Sequence, residues 1–206
     1  MYYDFKEYKE ALFYLEKMLK YGLENVDIRV LTSIGNCHRK LKTFSEGIPF
    51  FEAALNRENN NFYALFGLAD CYRGMNQGEK AIEYCKRILE LDPKNKMILT
   101  RTGDAYRNLN AFDTAKEYYE RALNIEFDTY AILGLVLISK AQEKYSEAIT
   151  SLKRLVQQDS RNYRLYLELS DCYNKNGERK KAVETLEDFQ KLGIKNQKIT
   201  EMLENI

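Results

Sequence analysis

Apolar and small residues return along this chain with a period of about 34 residues. Glycine or alanine stands at Gly47, Ala81, Ala115, Ala148 and Ala182, in steps of 34, 34, 33 and 34. Nine residues earlier run His38, Tyr72, Tyr106, Ser139 and Tyr173, and seven later Ala54, Ile88, Ala122, Leu155 and Phe189. Seven residues is two helical turns, so the small and the later series share one helix face. Small residues let two helix backbones approach, and a neighbouring ring fills the space beside them. A regular period of this length marks a repeat architecture, in which each unit buries its apolar face on its neighbours.

Each period predicts two amphipathic helices. The first helices are expected over 28–41, 62–75, 96–109, 129–142 and 163–176, the second over 44–58, 78–91, 111–125, 145–158 and 179–192. Asn76-Gln77-Gly78, Asp92-Pro93-Lys94-Asn95 and Asn176-Gly177 punctuate them. Connections this short force antiparallel neighbours, and repeating them produces a solenoid. Residues 4–21 read as a second helix without its partner, with Tyr8, Ala11, Leu15 and Met18 as its apolar series. The expected organisation is an unpaired helix in 1–27 and five repeats at 28–61, 62–95, 96–128, 129–162 and 163–196. A cap helix or truncated repeat follows in 197–206. The two ends read equally as caps of the stack and as edges of a larger protein.

The 62–95 unit carries the fullest pattern: Tyr63-Ala64-Leu65-Phe66-Gly67-Leu68-Ala69-Asp70-Cys71-Tyr72, then Ala81, Cys85, Ile88 and Leu91-Asp92-Pro93. Gly103, Tyr106, Ala115, Tyr119 and Ala122 follow in the next unit, and Leu31, Ile34, Gly35, Phe51 and Ala54 precede in the one before. On these residues the chain resembles the tetratricopeptide repeat family over about 28–196. It departs in having no tryptophan, in a single closing proline (Pro93), and in Val136 and Ser139 where Gly and Tyr are usual. The resemblance implies an all-α fold, a right-handed superhelix of helical hairpins with about five full repeats, an unpaired N-terminal helix and a short C-terminal helix. It also implies protein-binding function.

Charge narrows the function classes. The chain holds 32 Lys+Arg against 31 Asp+Glu, so it lacks the basic surplus usual in nucleic-acid binders. Arg179-Lys180-Lys181 is too short a run to change that. No apolar stretch reaches membrane-span length, and the N-terminal residues do not form a signal peptide. Four cysteines without a Cys-x-x-Cys pair and one histidine leave no zinc pattern. His38 falls in the aromatic series and Cys85 in that of Tyr119, so both read as packing residues. Glu46, Glu79, Glu117, Glu147 and Glu184 read as solvated charge. No catalytic residue, cofactor or metal site is expected, and the chain is read as no enzyme. The expected compartment is the cytoplasm, or the periplasm if a signal peptide has been removed. Its Lys-, Asn-, Ile- and Tyr-rich composition points to a bacterial source.

In the family the first helices line the concave face, and the resemblance carries that groove onto three rows here. They are Thr32, Phe66, Thr100, Leu133 and Leu167; Asn36, Asp70, Asp104, Leu137 and Asp171; and Arg39, Arg73, Arg107, Lys140 and Asn174. Tyr63, Met97 and Tyr130 stand near the rim or floor. One subclass of the family grips a chaperone's C-terminal carboxylate with Lys, Asn and Arg. Of the corresponding residues here only Asn36 fits, and Asp70 and Asp104 are expected to repel a carboxylate. Asp70–Arg73 and Asp104–Arg107 are i,i+3 neighbours, read either as self-neutralising pairs or as charge presented to a partner. The expected partner is a peptide or helix with apolar residues flanked by charges, bound by a scaffold or adaptor, with homo-oligomers through the terminal helices also open. Competing readings are a structural part of a bacterial envelope or motility assembly, and the recruiting domain of a larger enzyme.

Overall fold

The computed structural model describes residues 5–19 and 26–206, and the described residues form twelve α-helices and no strand. Helix α1 is Phe5–Met18, and five first helices follow: α2 (Ile28–Leu41), α4 (Phe62–Gly74), α6 (Lys96–Asn108), α8 (Thr129–Ala141) and α10 (Tyr163–Lys175). Their second helices are α3 (Phe44–Arg57), α5 (Gly78–Leu91), α7 (Phe112–Ile125), α9 (Tyr145–Gln158) and α11 (Arg179–Lys191). Helix α12 is Gln197–Asn205. Expected and observed boundaries agree to within a residue for α2 to α12. Of the segment expected at 4–21, residues 4, 20 and 21 lie outside the described residues. The chain forms two compact units, one ending at Ala111 and the other running from Phe112 to Ile206.

Every first helix starts at an Asn or Asp in repeat phase. Asp27, Asn61, Asn95, Asp128 and Asn162 each turn a side-chain oxygen onto a backbone N–H of the first turn, satisfying a donor that the helix itself cannot. Asn196 does the same for α12, 34 residues after Asn162. Helix α12 therefore occupies the place of a first helix in a further repeat. Its Ile199 is fully buried against Tyr166, Leu186 and Phe189. Burying a side chain of that size stabilises by about 1.5–3 kcal/mol.

The turn inside each hairpin is also phased. Lys42, Asn76, Asn110, Glu143 and Gly177 all have positive φ, between 57° and 80°, which ends the first helix and reverses the chain. Only Gly177 adopts this backbone without a Cβ penalty.

Both units bury the three phased series, with the exception of Tyr106, which is half-buried. In the first unit α2 and α4 pack directly on each other, and Phe51 of α3 is buried between them. The ring lies against Gly35 and Gly67, where any side chain would collide with it. In the second unit the ring of Tyr119 lies against Gly134 in the same way. Ile132, Val136, Leu152, Leu155, Leu165 and Leu169 build the core across α8, α9 and α10.

The apolar face of α1 differs from expectation. Tyr8, Leu12, Leu15 and Leu19 are the half-buried positions, whereas Ala11 and Met18 are exposed. Helix α1 packs on α2, and Ala11, Tyr14 and Met18, spaced three and four residues apart, share an exposed side of the helix. Phe13 is exposed beside them.

Candidate functional site

In the first unit, the first-helix face is organised around one carboxylate. Asp70 of α4 is buried, although the residue pattern placed it on a surface row. Three guanidinium groups surround it. Arg39 of α2 donates to Asp70 Oδ2 at 2.7 Å, Arg73 of α4 donates to Oδ1 at 3.0 Å, and Arg101 of α6 also donates to Oδ1. Arg39 is held in turn by Asn36 Oδ1, at 3.0 and 2.6 Å. Phe66 lies beneath this layer, with the Arg101 guanidinium 4.6 Å and the Arg39 guanidinium 5.6 Å from its ring centre. Charged planes over an aromatic face are attracted by its quadrupole.

The i,i+3 pair foreseen between Asp70 and Arg73 is present, but the neighbouring helices contribute as well. Arg101 was absent from the expected rows. Its phase in the other repeats carries Ser33, Gly67, Gly134 and Glu168, none of them basic. The signal that could have found it is size: Gly67 and Gly134 leave room for the rings of Phe51 and Tyr119. The intervening unit has Cys85 where those rings stand, so its position in that phase is free to hold a long side chain. A small recess results, floored by Ala69, Ala81, Cys85, Ile98 and Ala105 and rimmed by Phe66, Asp70, Arg73 and Arg101.

Around this cluster Thr32 is half-buried, Thr100 is buried, and Tyr63 is 71% exposed. Asp104 and Arg107 lie 3.7 Å apart along α6.

The second unit repeats one part of the device. Lys140 of α8 reaches Glu168 at 2.5 Å and Asp171 at 3.1 Å on α10, and Lys175 also reaches Asp171, at 3.3 Å. The Lys140–Asp171 pair has the same 31-residue separation as Arg39–Asp70. Burial works against the Lys140 charge, but its bonds to Glu168 and Asp171 outweigh this and hold the ammonium above its usual range. Of the remaining positions of this face Asn174 is polar and exposed and the others are apolar: Tyr130 is 75% and Leu137 46% exposed, and Leu133 and Leu167 are half-buried.

The histidine and the four cysteines lie in the core. His38 is buried, stacks on Phe50 and shares a 2.8 Å hydrogen bond with Thr43. Cys37, Cys71, Cys85 and Cys172 are free and buried, and burial pushes the thiols of Cys71 and Cys85 up to about 11. Such thiols are poor nucleophiles at neutral pH. Among the described residues no His/Cys/Asp/Glu group is arranged to hold a metal ion. No described helix is long and apolar enough to cross a membrane.

Tetratricopeptide repeat profiles match residues 62–95, 98–129 and 140–190, together more than half of the chain. Among curated proteins no relative matches. A tetratricopeptide repeat protein from Parabacteroides merdae superposes with a TM-score of 0.76 at 22% identity, covering 88% of this chain and 72% of its own. MamA from Desulfovibrio magneticus gives 0.71 at 16%, over 81% of this chain and 94% of its own. YrrB, described as a TPR protein with an unusual peptide-binding site, gives 0.68 at 16%, over 93% and 98%. At these identities the likeness is one of fold.

Proposed function

This chain belongs to the tetratricopeptide repeat family, and we propose that it is a binding scaffold whose first-helix faces hold a peptide or helix of a partner protein. The observation that carries this reading is the placement of exposed apolar side chains. Tyr63, Met97, Tyr130 and Leu137 stand on first helices at 71%, 43%, 75% and 46% exposure. Apolar side chains exposed on one helix face are surface that a partner gains by covering. Cations and carboxylates flank these residues on both units, so the matching segment has apolar anchors between charged residues.

Each unit carries its own proposed site: on the first unit Thr32, Asn36, Arg39, Tyr63, Phe66, Asp70, Arg73, Thr100, Asp104 and Arg107, and on the second, taken by itself, Tyr130, Leu133, Leu137, Lys140, Leu167 and Asp171. The role is one of binding without catalysis, and proteins rather than nucleic acids are the partners. The cytoplasm suits four reduced, buried thiols. YrrB supports the reading as a fold relative described as having a peptide-binding site. Association between copies has its own support in the outward Phe13, Tyr14 and Met18 of α1, at 56%, 67% and 50% exposure.

A displayed peptide library selected on the whole chain tests the reading. Enriched peptides should lose at least tenfold in affinity, about 1.4 kcal/mol, on Leu137→Arg or Tyr63→Glu. They should be unaffected by Glu83→Lys on α5, whose side chain is exposed on a second helix. Peptides that bind all three variants equally would place the interface elsewhere.

A further inference from the structure

We infer that the first unit's arginine layer over Phe66 is a recognition site for the carboxylate side chains of an acidic peptide. This rests on the peptide-binding reading and specifies its ligand chemistry for that unit. The residue pattern alone led to the opposite expectation, because Asp70 and Asp104 should repel a carboxylate. Two features reverse the sign.

First, Asp70 is an internal counter-ion. Its side chain is 6% exposed, and it is already shared among Arg39, Arg73 and Arg101. Three guanidinium groups gathered on one carboxylate leave the layer with a net surplus of two positive charges. Second, that surplus faces outward. The side chains of Arg73 and Arg101 are 50% and 32% exposed. Arg101 donates one bond to Asp70 and otherwise lies over Phe66. Its remaining N–H groups are therefore positioned to donate to an arriving acceptor.

A carboxylate is the acceptor that fits. Guanidinium presents paired N–H groups at the spacing of carboxylate oxygens, and Phe66 and Asp70 hold the Arg101 plane before the ligand arrives. Preorganisation matters because a free arginine loses rotamer entropy on binding, whereas this one has already been ordered by folding. Beside the arginines, the recess floored by Ala69, Ala81, Cys85, Ile98 and Ala105 is apolar and small. The second unit lacks this surplus: Lys140 and Lys175 there face Glu168 and Asp171, two cations against two carboxylates.

Fluorescence anisotropy on the whole chain tests this with a short labelled glutamate-rich peptide, its glutamine counterpart, and an oligothymidylate of equal charge. The glutamate peptide should bind and the glutamine peptide should not. Arg101→Gln should weaken binding about tenfold or more, as expected for a charge-assisted hydrogen bond. Lys86→Gln, which removes an equal charge from the exposed side of α5, should leave it unchanged. Thermal melts confirm that each variant is folded, and the comparison of the two peptides on the parent chain carries the test if Arg101→Gln does not fold. Equal binding of the two peptides, or equal losses at Arg101 and Lys86, would overturn the inference. So would tighter binding of the oligothymidylate through Arg101. If the acidic peptide fails while library-selected peptides still depend on Leu137 or Tyr63, the scaffold reading stands and this inference alone falls.

Discussion

Replacing Gly67 with alanine opposes two effects of known sign. Alanine is the better helix former by about 1 kcal/mol in a helix interior, so an isolated α4 would gain. In the folded chain, however, the added Cβ would meet the Phe51 ring. A Cβ built at Gly35, on the other side, would lie 2.8 Å from that ring, and one at Gly67 lies closer still. The ring is 1% exposed and sits between α2 and α4, so moving off one backbone presses it toward the other. Overpacking of this kind costs about 1–3 kcal/mol, and this overlap belongs at the upper end. The packing loss exceeds the propensity gain, leaving a net destabilisation of about 1–2 kcal/mol. For a chain of this size that lowers the melting temperature by roughly 2–8 °C. Urea and thermal unfolding followed by far-UV circular dichroism measure it. Phe51→Leu alone should cost about 1–2 kcal/mol, and the double variant should be more stable than the sum of the singles, because leucine vacates the contested space. An unchanged or raised midpoint for Gly67→Ala would show that Phe51 is not wedged against α4, and the packing argument for the first unit would fail.

Two further outcomes follow from backbone and burial. At the hairpin turns, Glu143→Gly should stabilise by up to about 1 kcal/mol and Gly177→Ala should destabilise by about as much, since φ is +57° at the first and +80° at the second. Nothing lies within 4 Å of a Cβ added at Gly177, so equal unfolding midpoints for Gly177→Ala and the parent would refute the backbone explanation. The Cys85 thiol, pushed up to about 11 by burial, titrates near 9 when unfolded, so below that pH both states hold the proton and stability is flat. Above it the unfolded chain ionises first, and stability falls by an amount on the order of 2 kcal/mol until the folded thiol also ionises. Urea midpoints from pH 9 to 11 should decline less steeply in Cys85→Ala than in the parent; parallel slopes would show that this thiol does not carry the effect.

Much of the architecture was legible because its causes are local. The small series at Gly47, Ala81, Ala115, Ala148 and Ala182 and the punctuation at Asn76-Gln77-Gly78 place helices within a residue, since both act over one or two turns. The Asn and Asp caps from Asp27 to Asn196 belong to the same local class, and they mark α12 as another first helix. Which residues share a repeat phase, and hence which helices are neighbours, also follows from the period alone.

Three matters were decided only in the tertiary structure. The face of α1 that packs runs through Leu12 and Leu19, because α2 is the neighbour present and all of α1's apolar positions look alike in the sequence. Asp70 became a buried counter-ion because Arg39 and Arg101 reach it from helices 31 residues away on either side. Arg101 could extend there because Cys85 stands where Phe51 and Tyr119 put rings in other repeats. Periodicity reports which way a side chain leaves its helix. The charge a surface shows depends on how far long side chains reach across neighbouring helices, and on which of them the space between those helices can admit.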